Sequence, residues 1–210
     1  MKTLITIWCH REVSDTVWRH MTYWVAHSSD ILFVCPNNSV LDTTWPVLAM
    51  EPSKHNGVEI NRKFRRMLEF WLKMAYDRFL FFEYDAICFA PDIPVLDPCK
   101  LYGNLFTSDQ KAFQGHYFLH PPIMVHRPTL SRLVDFARTV HDETDRFWDR
   151  LLGYYCEFGK IPFGGYEGLG FARNTIEQKD IPEAVAARKA GAVFFHGIKS
   201  NSVLNALVAV

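Results

Sequence analysis

No stretch of the 210-residue sequence approaches the roughly 20 consecutive apolar residues that a membrane-spanning helix needs. The apolar run at residues 4–8 is also too short for the core of a secretory signal, and it leads directly into His10, Arg11 and Glu12. We therefore expect neither an export signal nor membrane insertion, and we expect a cytoplasmic protein.

Closely spaced cysteine pairs are missing as well. The five cysteines are scattered, odd in number and mostly embedded in apolar runs, and no CxxC pair occurs. We expect reduced thiols rather than a disulfide framework, which agrees with a cytosolic protein.

The sequence has no excess of charge of either sign. It contains 23 basic and 23 acidic residues, so no overall field attracts nucleic acid or an anionic membrane, and we expect neither as a partner. With 49% hydrophobic and 22% charged residues, the composition is that of an ordinary globular protein. The length fits a single domain over residues 1–210.

What the sequence does contain is an alternation of strand and helix patterns. Residues 4–8 and 31–35 are apolar runs typical of buried strands, and residues 14–27 between them have helical spacing. This β-α-β order favours a parallel sheet. An amphipathic helix over residues 61–76 follows, and it leads into a strand over residues 79–89.

The rest of the chain continues the alternation. Further strands are predicted over 47–50, 101–107, 122–126 and 192–195, further helices over 129–140, 142–158 and from Pro182, and a glycine-rich loop over 163–170. We expect an α/β fold with a mostly parallel central sheet and helices on both faces. In such folds the active site lies at the carboxyl ends of the strands.

Two acids interrupt the apolar run at residues 79–89. Side chains two residues apart in a strand point to the same face, so Glu83 and Asp85 are expected to converge. Two like charges in an apolar setting are costly unless one is protonated or a cation lies between them. Mg²⁺ or Mn²⁺ is the usual occupant of a carboxylate site. The alternative is a strand end at which both acids simply reach water.

Two further features carry candidate ligands. The first turns of the predicted helix 61–76 hold Arg62, Lys63 and Arg66, where an anionic group such as a diphosphate would be stabilised, unless this is only a solvated basic face. His196, at the end of the last predicted strand, is a candidate third metal ligand, and Lys199 is a candidate to neutralise a phosphate. A single histidine at such a place is otherwise a hydrogen-bonded structural residue.

In this order, the features resemble the GT-A class of nucleotide-sugar glycosyltransferases, which also occur as compact enzymes in large DNA viruses of algae and glycosylate capsid proteins. The DxD signature of the class appears here as Glu83-Tyr84-Asp85, with Glu in the first position. The resemblance therefore makes Asp85 the safer metal ligand, while Glu83 either binds the metal, directly or through water, or holds the donor sugar or ribose. If the chain is viral, the expected location is the host cytoplasm.

The resemblance also implies a donor pocket and a base. The residues implied to contact the nucleotide donor are Trp8, Cys9, His10, Arg11, Asn37, Arg62, Lys63, Arg66, Glu83, Tyr84 and Lys199, and those implied to hold Mn²⁺ or Mg²⁺ are Asp85 with His196 and Glu83. In an inverting enzyme a carboxylate takes the proton of the acceptor hydroxyl. Glu167 is the first candidate and Asp109 the second, although Glu167 could instead close its loop and Asp109 cap a helix. The spacing of His116, His120 and His126 does not match a known zinc cluster closely enough, and these residues are interpreted as loop or acceptor-side residues.

The expected function is metal-dependent transfer of a hexose or deoxyhexose from a nucleoside diphosphate sugar, a UDP-sugar in our expectation, to a hydroxyl of a glycan or glycoprotein. Three alternatives stay open. A sugar-1-phosphate nucleotidyltransferase needs a glycine-rich loop after the first strand, and residues 9–13 contain no glycine. A non-catalytic module would bind nucleotide sugar or glycan without turnover. A metallohydrolase needs more ligands close together than the sequence offers.

Overall fold

The structure is a computed structural model, and it describes residues 1–8, 30–36, 47–50, 57–83, 85–89, 93–106, 117–140 and 148–210. The helix predicted over residues 14–27 lies outside these ranges. Within them, no helix has both the length and the apolarity to cross a membrane.

The described residues form ten strands and five α-helices. The strands are β1 Thr3–Trp8, β2 Asp30–Pro36, β3 Val47–Met50, β4 Arg78–Glu83, β5 Ala86–Cys88, β6 Leu101–Leu105, β7 Leu119–His126, β8 Phe163–Gly164, β9 Gly170–Ala172 and β10 Phe194–His196. The helices are α1 Gly57–Lys73, α2 Arg127–Thr139, α3 Trp148–Phe158, α4 Ile181–Lys189 and α5 Asn201–Val208.

Seven strands form the central sheet, in the order β3-β2-β1-β4-β7-β6-β8. β1, β2, β3 and β4 run parallel to one another, as the sequence predicts, with β1 between β2 and β4. β7 is antiparallel to both of its neighbours, β4 and β6. The sheet is therefore mixed, and its parallel half is the part that the β-α-β pattern predicts. The carboxyl ends of β1 and β4 meet where Trp8 is paired with Glu83.

The two faces of the central sheet have different covers. Phe79 and Phe81 of β4 point to the face on which the apolar sides of α1, α2 and α3 pack, for example through Trp71, whose ring stacks on Phe79 at 5.4 Å. Leu80 and Phe82 point to the opposite face, which packs against a small sheet of β5, β10 and β9. Period-two alternation along β4 thus builds both layers of the core.

The prediction of helices on both faces needs a correction in the described part of the chain. There, the second face is covered by the small sheet, and α4 and α5 pack on the far side of that sheet around Ile87 and Phe195. α5 is not predicted from the sequence. Ser200 caps it by accepting a hydrogen bond from the backbone N–H of Val203.

The predicted strand over residues 79–89 is also wrong as a single element. β4 ends at Glu83, Asp85 lies in a turn, and β5 belongs to the small sheet. The backbone carbonyl of Asp85 accepts hydrogen bonds from the N–H groups of Gly197 and Ile198, at 3.0 and 2.9 Å. The chain therefore crosses from one sheet to the other between the two acids.

α1 ends at Lys73 rather than at the predicted residue 76. A side chain from α2 donates hydrogen bonds to carbonyl groups at this end and just beyond it. The guanidinium of Arg127 donates to the carbonyl oxygens of Leu72, Met74 and Tyr76. Leu72 lies in the last turn of α1, where carbonyl groups lack a partner within the helix, and Met74 and Tyr76 follow the helix end. Arg127 therefore fixes the end of α1 before the chain enters β4.

Candidate functional site

Glu83, Asp85 and His196 converge at the carboxyl end of β4. One potential ligand atom from each lies within 4.8 Å of the others. Nε2 of His196 is 3.5 Å from Oε2 of Glu83 and 3.6 Å from Oδ1 of Asp85. The predicted convergence of the two acids is thus present, but it arises from the turn between two sheets and not from neighbouring positions on one strand.

The backbone beside His196 holds this arrangement in place. Gly197 has φ of +94°, a conformation that residues with a Cβ rarely adopt, and an added Cβ would lie 2.3 Å from the carbonyl oxygen of Arg173. The N–H of Gly197 also donates to the carbonyl oxygen of Asp85. A glycine is therefore required for His196 and Asp85 to approach each other.

The ring of His196 is oriented through its second nitrogen. Nδ1 lies 3.0 Å from the carbonyl oxygen of Arg173. Since a carbonyl can only accept, Nδ1 carries the proton of this hydrogen bond, and Nε2 faces Glu83 and Asp85. This is the arrangement by which metal-binding histidines are commonly held.

Glu83 is oriented from the helical face of the central sheet. The indole Nε1–H of Trp148, the first residue of α3, donates to Oε1 of Glu83 at 3.1 Å. Its ring stacks on Phe64 of α1 at 5.1 Å and meets Phe81 edge-on at 4.9 Å. Trp148 therefore joins the hydrophobic core to the acidic cluster, a role that its place in the sequence does not indicate.

The charges in the cluster are strongly coupled. Burial raises the pKa of the Asp85 carboxyl, and the charge of Glu83 raises it further, against the lowering effects of His196 and Lys199. Burial lowers the pKa of His196, but the close contact with Glu83 and the charge of Asp85 outweigh it, so the net shift is upward. The cluster favours a positive charge among its three side chains.

The donor atoms of the cluster fit a divalent cation. Oδ1 of Asp85 and Nε2 of His196 are buried without an aligned hydrogen-bond partner among the described residues, although each faces the other. Buried polar atoms are normally satisfied. Two carboxylates and one imidazole suit Mn²⁺ better than Mg²⁺, which prefers oxygen ligands throughout.

Lys199 lies at the edge of the cluster. Its Nζ is 3.7 Å from Oδ2 of Asp85, and its side chain is 42% exposed. It is therefore close to the charge of Asp85 and also open to solvent, and its predicted contact with a phosphate stays a prediction.

A second polar pair lies beside the cluster. Nε2 of His120 is 3.3 Å from Oδ2 of Asp149, and the rings of His120 and His196 meet edge-on at 5.0 Å. Burial raises the pKa of Asp149 to about 6 and lowers that of His120 to about 3. The sequence predicts a loop or acceptor-side role for His120, which instead lies in β7, and it gives no reason to select Asp149.

The other residues predicted to contact the donor lie at the end of β1, on α1 or outside the described residues. Trp8 is buried with its ring edge-on to Phe81, Arg62 and Arg66 are exposed on α1, and Lys63 is half-buried there. The other predicted residues, Cys9, His10, Arg11, Asn37, Tyr84 and Asp109, lie outside the described residues.

Glu167 lies in the turn between β8 and β9. Its side chain is exposed and its φ is +32°, followed by Gly168 with φ of +82°. The predicted role of Glu167 as a base stays a prediction.

Comparison with known proteins supports the fold. No protein-family model matches the sequence, and no curated protein matches it. The structure does resemble the crystal structure of a glycosyltransferase involved in the glycosylation of the major capsid of PBCV-1. The match covers 100% of both chains, with a TM-score of 0.57 and 12% sequence identity. At this identity the likeness shows a shared fold, which agrees with the resemblance seen in the sequence.

Proposed function

We propose that this chain is a metal-dependent glycosyltransferase that moves a hexose or deoxyhexose from a nucleoside diphosphate sugar, a UDP-sugar in our proposal, to a hydroxyl of a glycan or glycoprotein. The observation that carries the proposal is the convergence of Glu83, Asp85 and His196, in which Oδ1 of Asp85 and Nε2 of His196 are buried without an aligned hydrogen-bond partner among the described residues. The fold shared with a capsid glycosyltransferase supports it.

The cluster would hold Mn²⁺ through Asp85, His196 and Glu83. When bound, the ion would neutralise the charge that develops on a departing diphosphate. Trp148 keeps Glu83 oriented, the carbonyl of Arg173 keeps Nε2 of His196 facing the acids, and Lys199 places a second positive charge beside the leaving group.

The donor nucleotide would lie along the edge formed by the carboxyl ends of β1, β2 and β4. Cys9, His10 and Arg11 directly follow β1, and Asn37 directly follows β2. Trp8, which ends β1, is paired in register with both Val34 of β2 and Glu83 of β4, so the carboxyl end of β1 lies beside the cluster.

α1 offers a second set of donor contacts. It leads through a short connection into β4 and packs against it, so its first turns lie toward the carboxyl end of that strand. We propose that Arg62, Lys63 and Arg66 meet the nucleotide from there. Tyr84, between the two acids, would lie against the donor.

A base completes the proposed reaction. Glu167 and Asp109 are the carboxylates that the sequence predicts for it, and the structure offers a third, which is argued below. The base must lie within hydrogen-bond reach of the acceptor hydroxyl when the donor is bound.

The test is a thermal-shift panel of nucleoside diphosphate sugars with and without MnCl₂. A ligand at 100 times its dissociation constant stabilises a protein by about 2.7 kcal/mol. We expect a Mn²⁺-dependent shift with at least one donor, lost in Asp85→Asn. Asp135→Asn, a change at an exposed position of α2, is the matched control and should keep the full shift. A full shift in a well-folded Asp85→Asn variant would contradict the proposal.

Turnover distinguishes the proposed transferase from a non-catalytic binding module. Wild-type protein incubated with Mn²⁺, the stabilising donor and a panel of free sugars should release nucleoside diphosphate. A donor that binds and stays intact throughout would support the binding module instead.

A further inference from the structure

We infer that Asp149, held by His120 beside the cluster of Glu83, Asp85 and His196, is the base that takes the proton of the acceptor hydroxyl. The inference rests on the proposed function and assigns a residue that the sequence analysis does not select. It is based on the position of the pair, its partial exposure and the surfaces that enclose it.

Both carboxylate oxygens of Asp149 have a partner. Oδ1 accepts from the backbone N–H of Arg150 at 2.8 Å, within the first turn of α3. Oδ2 lies 3.3 Å from Nε2 of His120. The side chains of His120 and Asp149 remain 14% and 15% exposed. The carboxylate is therefore fixed in direction but still reachable by a small polar group.

His120 links Asp149 to the cluster. Its ring meets that of His196 edge-on at 5.0 Å, so one imidazole separates Asp149 from a proposed metal ligand. Phe106 meets the same ring at 4.3 Å and Phe118 at 5.6 Å, both edge-on. These contacts fix the ring of His120 and give it apolar neighbours on the sides away from Asp149 and His196.

The electrostatics of the pair suit proton transfer. Nε2 of His120 lies 3.3 Å from Oδ2 of Asp149 and can direct an N–H group at it. Burial raises the pKa of Asp149 to about 6, and the charges of Glu83 and Arg150 act on it in opposite directions. A base works best when its pKa lies near the operating pH.

Asp149 is next to a residue that contacts the cluster, whereas Glu167 lies in an exposed turn. Glu167 is exposed in the turn before β9. Asp149 follows Trp148, whose indole holds Glu83. The first two residues of α3 therefore orient a proposed metal ligand and supply the proposed base.

The step is a single displacement. The acceptor oxygen forms a bond to the anomeric carbon of the donor sugar, and its proton moves to the ionised carboxylate of Asp149. The bond from that carbon to the diphosphate oxygen breaks, and its electron pair leaves with the nucleoside diphosphate. The proton passes from Asp149 to solvent after the product departs, and the configuration of the anomeric carbon is inverted.

The experiment compares wild type, Asp149→Asn, Glu167→Gln and the control Asp135→Asn with the donor that gives the Mn²⁺-dependent shift. Donor affinity is measured by calorimetry for both the nucleotide sugar and the free nucleoside diphosphate. Turnover is measured as release of nucleoside diphosphate in the presence of the free-sugar panel. We expect Asp149→Asn to bind both ligands within about 2-fold of wild type and to lower turnover about 100-fold or more, the effect typical of a lost base.

Other results would overturn the inference. If Asp149→Asn weakens binding of the nucleotide sugar but not of the free nucleotide, Asp149 holds the donor sugar and is not the base. If Asp149→Asn keeps its turnover, the inference is wrong, and loss of turnover in Glu167→Gln would then assign the base to Glu167. If wild-type protein shows no donor-dependent shift, or binds a donor without releasing nucleotide, the proposed transferase function fails and the base role fails with it.

Discussion

The indole Nε1–H of Trp148 donates to Oε1 of Glu83 at 3.1 Å, across 65 positions of the sequence. This contact passes from a helix on one face of the central sheet to an acid at the end of its strand β4. The orientation of Glu83 therefore depends on how α3 packs, and not only on the local turn. Loss of a residue that orients a metal ligand commonly lowers the metal affinity about 10- to 100-fold.

Trp148→Phe tests this contact. The ring can keep its packing against Phe64 and Phe81, while the N–H to Glu83 is lost. We expect Mn²⁺ affinity, measured by calorimetry, to fall about 10-fold, with a loss of stability of about 1 kcal/mol. Unchanged Mn²⁺ affinity would show that Glu83 does not need Trp148 to bind the ion.

Gly197→Ala should damage both stability and the site. The new Cβ would meet the carbonyl oxygen of Arg173 at 2.3 Å, in a backbone conformation with φ of +94°. Gly191→Ala is the matched control, because its φ is +104° but nothing lies within 4 Å of the added Cβ. In urea unfolding we expect a cost of about 1–2 kcal/mol for the control and more for Gly197→Ala. Equal costs would mean that the close approach to Arg173 relaxes freely.

Lys199→Gln should affect turnover more than donor binding. Its Nζ lies 3.7 Å from Asp85 and can stabilise the charge of the leaving diphosphate. We expect release of nucleoside diphosphate to slow by about 100-fold, the size seen when one group that stabilises developing charge is removed. Lys189→Gln, at an exposed position of α4, should behave as wild type. Equal turnover in the two variants would remove Lys199 from this role.

Asp149→Asn should make the protein more stable at neutral pH. Burial raises the pKa of this carboxyl from 3.8 to about 6, so the folded state binds more protons than the unfolded state between these values. The free energy of unfolding then falls as pH rises through this range. Above about pH 6, the ionised carboxylate lowers it by up to about 3 kcal/mol.

The variant cannot ionise at this position, so its advantage in thermal unfolding should be largest near pH 7.5. It should shrink toward pH 3, where Asp149 is mostly protonated in both states. A variant that is less stable than wild type at pH 7.5, or whose difference from wild type does not change with pH, would refute this reading of the site.

The parts of the fold that follow from local pattern are predicted well from the sequence. Apolar runs place β1, β2 and β3, and the helical period of Phe64, Met67 and Trp71 places α1. The division of residues 79–89 between two sheets is not predicted, because both pieces are buried and apolar and the sequence shows no break other than the acids themselves. α5 is short and depends on packing against the small sheet.

The candidate site is predicted only in part, for a similar reason. Glu83 and Asp85 stand out because acids are unusual in an apolar run, and His196 because it ends a strand. Trp148 and Asp149 have no such local signal. The sequence predicts a core aromatic residue at Trp148 and an ordinary helix acid at Asp149. Their roles come from tertiary contacts with Glu83 and His120.

The central claim is that His196, Asp85 and Glu83 hold a divalent cation together. Electron paramagnetic resonance of Mn²⁺ bound to protein with ¹⁵N-labelled histidine tests it most directly, because coupling to the labelled nitrogen reports a directly bound imidazole. We predict that wild-type protein shows this coupling, that His196→Gln binds Mn²⁺ more weakly without it, and that Asp85→Asn loses most of the bound ion. Mn²⁺ that binds wild-type protein without histidine coupling, or equally well in Asp85→Asn, would contradict the account.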